Sequence, residues 1–281
     1  MSPSGAVGVR EFARVVRQLG LTGRPIEVHA SLRSFGELED GPATIVEGVL
    51  AAGSTVLAAT MAPDLFGLPA PSYDQPTRNG IDYATQLPMA QRTQATGSDH
   101  VYDAGCTDVS AWLGAFSAHV AARPDRLRCR YASGEFAAVG PLAERLIGAE
   151  TDADVFGPLR ALVEESGAVA LMGVDLTRMT LLHLAEVEAG RRPFIRWARG
   201  SDGRPVRVRA GECSEGFESL ASALAPVERK VFVGQSRWRV FPASEVLDLA
   251  AQAIRTDPSI THCPRPDCIK CADAIAGGPL E

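Results

Sequence analysis

The chain has 281 residues, of which 46% are hydrophobic and 22% charged, a balance typical of a globular protein with an ample core. Its formal net charge of −6 argues against a nucleic-acid partner and favours a cationic one. No apolar run is long enough to span a membrane, and the first residues lack the basic segment and apolar core of a signal peptide. We therefore expect no membrane partner and a cytoplasmic location, where the six cysteines would be reduced.

The N-terminal third alternates between helical and extended patterns. Apolar residues recur at helical spacing from Val9 to Leu19 and stop at Gly20, which predicts an amphipathic helix. Residues 25–29 have the composition of a short strand, residues 42–52 that of a helix, and residues 54–60 that of a central strand. Residues 61–108 then show no periodicity and are rich in proline, glycine and polar side chains. Such a long irregular segment usually forms a binding loop or lid, or is locally disordered.

The rest of the chain returns to regular patterns. Helices are predicted at 112–121, 137–147, 158–165, 215–224 and 243–255, strands at 126–131, 167–174 and 230–234, and a hairpin at 194–198 and 205–208 around Asp202-Gly203. There are no repeats and no clean linker. We therefore expect a single α/β domain over residues 1–281, with a central mixed sheet flanked by helices. The patterns do not decide whether it also has a small helical second lobe.

One helix carries three side chains suited to proton transfer. It follows the apolar strand 167–174 and holds Thr180, His183 and Glu186 three residues apart, so that they lie on one helix face. The site of an open α/β sheet usually lies at the ends of such strands. An imidazole beside a carboxylate is suited to moving a proton near neutral pH. A solvated polar face is the alternative interpretation.

A second cluster of small polar residues follows the strand that ends in His29. The hydroxyls of Ser31 and Ser34, the backbone N–H groups around Leu32, and the Arg33 side chain are suited to holding an anion. A plain turn would have the same composition.

Together these stretches resemble one known family. Val28-His-Ala-Ser-Leu-Arg-Ser-Phe-Gly36, Gly140-Pro141 after Phe136-Ala-Ala-Val, Leu171-Met-Gly-Val-Asp, and Thr180-Leu-Leu-His-Leu-Ala-Glu186 are similar to motifs of the aminoglycoside 3-N-acetyltransferases. The resemblance runs in order from about residue 10 to about residue 272. It implies an α/β fold distinct from the common GNAT acetyltransferases, acetyl-CoA as donor and an amine as acceptor.

The resemblance also assigns roles to individual residues. His183 and Glu186 match the catalytic pair of the family, with His183 as general base in a direct transfer. His29 matches the motif histidine near the donor thioester, and Thr180 the threonine beside that thioester. Ser31, Leu32, Arg33 and Ser34 match the coenzyme A loop. Residues 61–108 would lie on the acceptor side, where the acids are Asp64, Asp74, Asp82, Asp99, Asp103 and Asp108.

Two positions depart from the family pattern. Tyr131 stands where the family has a histidine, and Glu135 stands where it has a serine. Because this region should line the acceptor pocket, these changes affect the identity of the acceptor more than the type of reaction. The alternatives are therefore an acyltransferase for another amine, such as a biosynthetic intermediate, and a zinc-stapled binding protein without turnover. Whether the chain forms a homodimer stays open.

A cysteine-rich element lies at residues 260–273. Cys268 and Cys271 have the spacing of a zinc knuckle, with His262 or Cys263 within reach as a third ligand and Cys213 as the fourth. Of these two residues, His262 is the predicted third ligand. Some members of the resembled family carry similar cysteines. The prediction is a structural zinc, since four protein ligands leave no open position for catalysis; two reduced thiols without metal are the alternative.

Overall fold

The computed structural model describes residues 5–85, 101–131, 134–151, 154–200 and 203–281. The strands of its central sheet are β1 (Pro25–Ala30), β2 (Thr55–Ala59), β4 (Leu127–Arg128), β5 (Phe136–Val139), β6 (Ala168–Met172), β9 (Arg229–Val233) and β10 (Ser236–Pro242). These seven strands are arranged in the order β4-β5-β2-β1-β6-β10-β9. Only the three central strands β2, β1 and β6 run parallel, and the outer pairs are antiparallel. The predicted mixed sheet is therefore confirmed.

Helices cover both faces of this sheet. The described α-helices are Val9–Gln18, Gly41–Leu50, Pro63–Phe66, Gly114–Ala122, Ala143–Ile147, Gly157–Glu164, Leu181–Glu188, Ala221–Leu224, Ala243–Thr256 and Ile269–Ile275. On one face, Val9–Gln18 and Gly41–Leu50 pack over Ile26 and Val28 of β1. On the other, Leu181–Glu188 and Ala243–Thr256 pack together over β6. Within the described ranges, no helix has the length and apolar character needed to cross a bilayer.

The chain also forms a second, smaller sheet. The sequence had left undecided whether the domain has a small helical second lobe. The smaller sheet contains β3 (Gly67–Leu68), β7 (Phe194–Arg199) and β8 (Pro205–Ala210), all antiparallel. β7 and β8 form the predicted hairpin, although Asp202 of its expected turn lies outside the described residues. The pairing of β3 with β7 brings the start of the irregular segment against this hairpin.

Several predicted boundaries were wrong for identifiable reasons. The helix predicted at 137–147 is the strand Phe136–Val139 followed by the short helix Ala143–Ile147. Its alanines favour a helix, but Ala137 and Ala138 are buried between two neighbouring strands, and pairing overrides the propensity. Ser236–Pro242 was not predicted, although its alternating arginine and apolar residues have the two-residue period of a strand.

The parallel strands bring two loops together at their carboxyl ends. Ala30 of β1 lies opposite Met172 of β6, and the Ser31 backbone N–H donates to the Met172 carbonyl at 2.9 Å. The chain leaves β1 into a single turn of 3-10 helix at Leu32–Phe35 and leaves β6 toward a second turn at Leu176–Arg178. The two sequence motifs therefore meet at one edge of the sheet, where α/β proteins usually bind ligands.

Candidate active site

His183 and Glu186 form a hydrogen-bonded pair on the helix Leu181–Glu188. The His183 Nδ1 atom lies 2.8 Å from Glu186 Oε2, and the two side chains are 13% and 14% exposed. Both residues face the same way because three residues make most of one helical turn. A carboxylate at Nδ1 fixes the tautomer and leaves Nε2 as the nitrogen that can accept a proton. The arrangement is suited to general-base chemistry.

The same carboxylate also binds an arginine that the sequence did not reveal. Glu186 Oε1 accepts from Arg191 Nη1 at 2.5 Å. Arg191 is itself 8% exposed, and it donates to Thr261 Oγ1 at 2.8 Å and to the Pro258 carbonyl at 2.5 Å. Pro258 and Thr261, which follow the helix Ala243–Thr256, therefore fix Arg191, and Arg191 in turn fixes Glu186.

The imidazole ring of His183 is confined by the loop that follows β8. A Cβ atom placed on Gly211 would lie 2.2 Å from His183 Cγ, so that only glycine permits this approach of the backbone. On the far side of the loop, the Phe217 ring meets the imidazole edge-on with centroids 4.8 Å apart. The ring position is set by packing as well as by Glu186.

His183 and Gly211 line an open cleft of about 1480 Å³ between the two sheets. Of the predicted site residues, His29, Ser31, Leu32, Arg33, Thr180 and His183 all line it. Glu186 lies behind His183. Ser34 does not line the cleft; its hydroxyl donates to the Ser31 carbonyl at 2.7 Å and lies 2.7 Å from Ser236 Oγ. Ser34 thus holds the loop in shape rather than presenting its hydroxyl to a ligand.

The cleft wall near His29 carries two cations. Arg33 belongs to the predicted anion loop, and Arg178 lies on the 3-10 turn that follows β6. Arg178 was not among the predicted site residues, because nothing in its local pattern distinguishes it from a solvated arginine. The two guanidinium groups are suited to the phosphates of a nucleotide-bearing donor.

The acids predicted for the acceptor side divide into two groups. Asp64 and Asp82 line the cleft, as does Glu135. Asp74 does not, since Arg207 and the Trp197 indole bind it, and the hydrogen bond from Arg207 lowers its pKa. Asp103 and Asp108 also lie off the cleft lining, and Asp99 lies outside the described residues.

A further acid, Glu212, lines the cleft beside Gly211. It pairs with Arg196 and Lys270, which line the same wall. Burial opposes the ionisation of Glu212, but the two cations outweigh it and lower its pKa. Besides His29 and His183, the described cleft lining therefore carries four acids, Asp64, Asp82, Glu135 and Glu212, and four arginine or lysine side chains, Arg33, Arg178, Arg196 and Lys270.

The two departures from the family pattern have different locations. Glu135 lines the cleft next to the end of β5, whereas the Tyr131 side chain is 40% exposed and does not. The Tyr131 backbone N–H instead donates to Glu150 Oε2 at 3.3 Å. Glu135 is therefore the departure that can contact a ligand.

Four cysteines meet behind this wall, close to Glu212. Their Sγ atoms all lie within 4.8 Å of one another, and the four residues are Cys213, Cys263, Cys268 and Cys271. A zinc tetrahedron with Zn–S bonds of about 2.3 Å has sulfur–sulfur edges of about 3.8 Å, so a small contraction would complete it. Burial opposes the Cys263 thiolate, but a backbone hydrogen bond at Arg265 and the neighbouring sulfurs lower its pKa to about 7. The group fits a structural metal.

The selection of His262 as a ligand is corrected by this geometry. His262 lies outside the sulfur cluster, and its Nδ1 atom is 2.7 Å from the Cys263 carbonyl oxygen. Cys263, the alternative for the third position, completes the cluster instead. The two residues are adjacent in the chain, so their spacing from Cys268 and Cys271 did not distinguish them.

Fold and site together define an α/β protein with a histidine–glutamate pair at the carboxyl ends of parallel strands, facing a cleft with a cationic wall. The profile of the aminoglycoside 3-N-acetyltransferase family matches residues 28–255. The chain belongs to this family.

Individual relatives carry the same name. Aminoglycoside N(3)-acetyltransferase VIII of Streptomyces fradiae is 29% identical over 192 residues, which are 66% of this chain and 62% of the relative. The chain thus matches slightly less than two thirds of that relative's length. Aminoglycoside N(3)-acetyltransferase VII of Streptomyces paromomycinus is 26% identical over 273 residues, covering 87% of this chain and 90% of the relative.

Solved structures share the fold over almost the whole chain. The apoenzyme of aminoglycoside acetyltransferase AAC(3)-IVa superposes with a TM-score of 0.73 at 25% identity, covering 99% of this chain and 100% of that chain. A mutant of the same enzyme in complex with a gentamicin gives a TM-score of 0.72 at 25% identity, with 98% of each chain covered. The similarity confirms the predicted fold.

Proposed function

We propose that this chain transfers the acetyl group of acetyl-CoA to an amino group of an aminoglycoside, at the 3-N position, with His183 as general base. The observation that carries the proposal is the orientation of the His183–Glu186 pair, whose imidazole faces the cleft while Glu186 lies behind it. Membership of the aminoglycoside 3-N-acetyltransferase family supports the type of reaction.

The reaction balances with the groups at hand. An ammonium has no lone pair, so His183 Nε2 takes a proton from the acceptor nitrogen, directly or through water. The nitrogen then attacks the thioester carbon, a C–N bond forms, and a tetrahedral intermediate with a negative oxygen results. The attacking nitrogen still carries one proton more than an amide needs, and it loses that proton as the C–S bond breaks and the carbonyl re-forms. Coenzyme A leaves as thiolate and takes up this proton directly or through water. Glu186 stabilises the imidazolium that has formed at His183.

The donor would occupy the wall formed by the loop after β1. Ser31, Leu32 and Arg33 line the cleft there, and Arg178 adds a second cation for phosphate groups. Thr180 lines the cleft one helical turn before His183, and its hydroxyl makes no cap hydrogen bond. That hydroxyl is available to the thioester oxygen, and loss of one such donor costs on the order of 3 kcal/mol in comparable sites.

A structural zinc is the second part of the proposal. Cys213, Cys263, Cys268 and Cys271 would hold it, and with four protein ligands it would have no open position for substrate. Zinc would neutralise the thiolates and fix the C-terminal segment against the loop after β8. It takes no part in the transfer.

One observation favours a different acceptor. The cleft lining is not acidic on balance, because two of its cations neutralise Glu212 beside the base. Polycationic antibiotics bind best to walls rich in carboxylates. A less highly charged amine, such as a biosynthetic intermediate, therefore stands as the alternative acceptor for the same chemistry.

A single assay distinguishes these functions. Release of free coenzyme A thiol from acetyl-CoA is followed with gentamicin, apramycin and other aminoglycosides, and in parallel with simple mono- and diamines. The proposal predicts thiol release with at least one aminoglycoside and a product acetylated at the 3-amino group by NMR. Turnover with monoamines alone would support the alternative acceptor. Absence of turnover with every amine, together with measurable acetyl-CoA binding, would indicate a binding protein without catalysis.

A further inference from the structure

The central strand β1 carries a carboxylate in the apolar core. Glu27 is fully buried, and its neighbours across the sheet are Leu57 of β2 and Val169 of β6. Neither of its oxygen atoms has a hydrogen-bond partner within the described part of the chain. Burying an ionised carboxylate without a partner costs several kcal/mol, so a residue of this kind needs a compensating group.

The described structure places one ionisable side chain against Glu27, that of His29. The two residues point to the same face of β1 because they are two positions apart. His29 Nε2 lies 3.0 Å from Glu27 Oε1, although the ring N–H is not aligned for a regular hydrogen bond. The His29 ring lines the cleft.

The contact links a buried carboxylate to a ring at the cleft wall. Because Glu27 is fully buried on a central strand, its side chain has little freedom, and it limits how the neighbouring His29 ring can rotate.

We propose that Glu27 is a positioning residue that fixes the orientation of the His29 ring toward the acyl group in the cleft. This rests on the proposed acyl transfer. A polar group that is already in place when charge develops on the thioester oxygen needs no reorganisation during the reaction. Glu27 touches neither donor nor acceptor and acts only through His29.

The test compares Glu27→Gln and Glu27→Leu with the unmodified chain. Both variants should lower kcat by about 10²-fold, the loss typical of a misplaced group in a reaction site, while the KM values for acetyl-CoA and the amine change by less than about threefold. Glu27→Leu removes a buried carboxylate and fills the space with apolar atoms, so its Tm should be equal or higher. A purely structural role for Glu27 predicts the reverse, with a lower Tm and an unchanged kcat.

A double-mutant cycle isolates the pair. In a His29→Gln background, Glu27→Gln should cause no further loss of kcat, because the residue through which it acts is gone. Glu150→Gln is the matched control: this carboxylate is also buried, but it binds the Arg130 backbone N–H at 2.7 Å and lies off the cleft lining. It should lower Tm and leave kcat unchanged.

A spectroscopic measurement decides the proposal independently of turnover. The chain has five histidines, so the His29 ring signals in long-range ¹H–¹⁵N spectra are assigned by their loss in His29→Gln. The His29 ring signals should shift in Glu27→Leu, because the ring loses the contact that orients it, and should keep their positions in Glu150→Gln. His29 signals that are the same in Glu27→Leu and the unmodified chain, or a kcat within twofold in both Glu27 variants, overturn the proposal. If no amine is acetylated at all, the proposed function fails, and the spectra still show whether Glu27 orients His29.

Discussion

Glu186 accepts from two side chains of different character, His183 through one oxygen and Arg191 through the other. The imidazole changes its charge during a transfer reaction, whereas the guanidinium does not. A carboxylate held by a permanent cation is fixed in orientation. The geometry therefore favours precise placement of His183.

Removal of the imidazole should abolish transfer without removing the donor site. His183→Ala should lower kcat by about 10²–10⁴-fold, the range that a general base contributes. The Kd for acetyl-CoA, measured by calorimetry, should stay within about twofold, because Arg33 and Arg178 lie on another wall of the cleft. A kcat that does not change would remove His183 from the mechanism.

Arg191 offers a separate test of the orientation argument. Arg191→Met keeps most of the length of the side chain and removes the three hydrogen bonds, so we expect kcat to fall roughly tenfold through a misplaced Glu186. Glu186→Gln should lower kcat more than Arg191→Met and less than His183→Ala. Arg192→Met is a suitable control, since Arg192 is the next residue in the chain and its side chain donates to the Gly277 carbonyl instead. Equal kcat values in both arginine variants would contradict the role of Arg191.

At the scale of elements, the residues of the loop after β1 have two different roles. Ser34 and the backbone hold its shape, while Arg33 lines the cleft. Arg33→Ala should raise the KM for acetyl-CoA by about tenfold, the effect of losing one charge-assisted hydrogen bond, and leave the KM for the amine nearly constant. The measurement is a pair of saturation curves, each at a fixed excess of the other substrate. A selective rise in the amine KM would instead place this loop on the acceptor side.

The cysteine cluster joins two elements that are far apart in sequence. The purified chain should contain one zinc per molecule by elemental analysis, and Cys271→Ser should lower Tm by roughly 10 °C, as loss of a few kcal/mol does in a domain of this size. Cys106→Ser is the control, because Cys106 lies outside the cluster. A Cys271→Ser variant with unchanged Tm and no metal in the unmodified chain would leave the cluster as four reduced thiols.

The elements that the sequence predicted are those with a strong local period. The helix Ala243–Thr256, the hairpin strands and the strand before His183 were all found, and so was the pairing of His183 with Glu186, since three-residue spacing on a helix fixes the contact. Arg191, Arg178 and Glu212 could not be predicted, because their partners lie in other elements. Glu27 was missed because a single acid in a short strand usually lies on its exposed face.

At the scale of the whole molecule, the net charge of −6 is not concentrated in the described lining of the cleft. Asp64, Asp82 and Glu135 are the cleft acids outside the Glu212 cluster. An acceptor with several ammonium groups would be attracted by these acids and by the longer-range field of the chain. That attraction is screened over about 8 Å at physiological ionic strength.

The acceptor KM should therefore rise with salt. Any change in the KM for the anionic donor should come from screening of Arg33 and Arg178. Glu135→Gln should raise the acceptor KM about threefold, the effect of one partly screened charge, and leave that for acetyl-CoA unchanged. Glu144→Gln, on the short helix that follows β5, controls for the loss of a negative charge elsewhere. A salt titration with a flat acceptor KM would indicate an uncharged or monoamine acceptor.

The position of the four cysteines also bears on chemical inhibition. Cys213 lies two residues after Gly211, which contacts the His183 ring, and Cys263 lies two residues after Thr261, which binds Arg191. The loop that confines His183 and the segment that binds Arg191 thus each continue within two residues to a cysteine of the cluster. No cysteine occurs in the described lining of the cleft. An alkylating or oxidising agent should consequently stop the proposed transfer without reaching the reacting atoms, and the chain would behave in inhibitor assays as though it had a cysteine nucleophile. Zinc release that accompanies inactivation, with no protection by saturating acetyl-CoA, would identify damage at a distance.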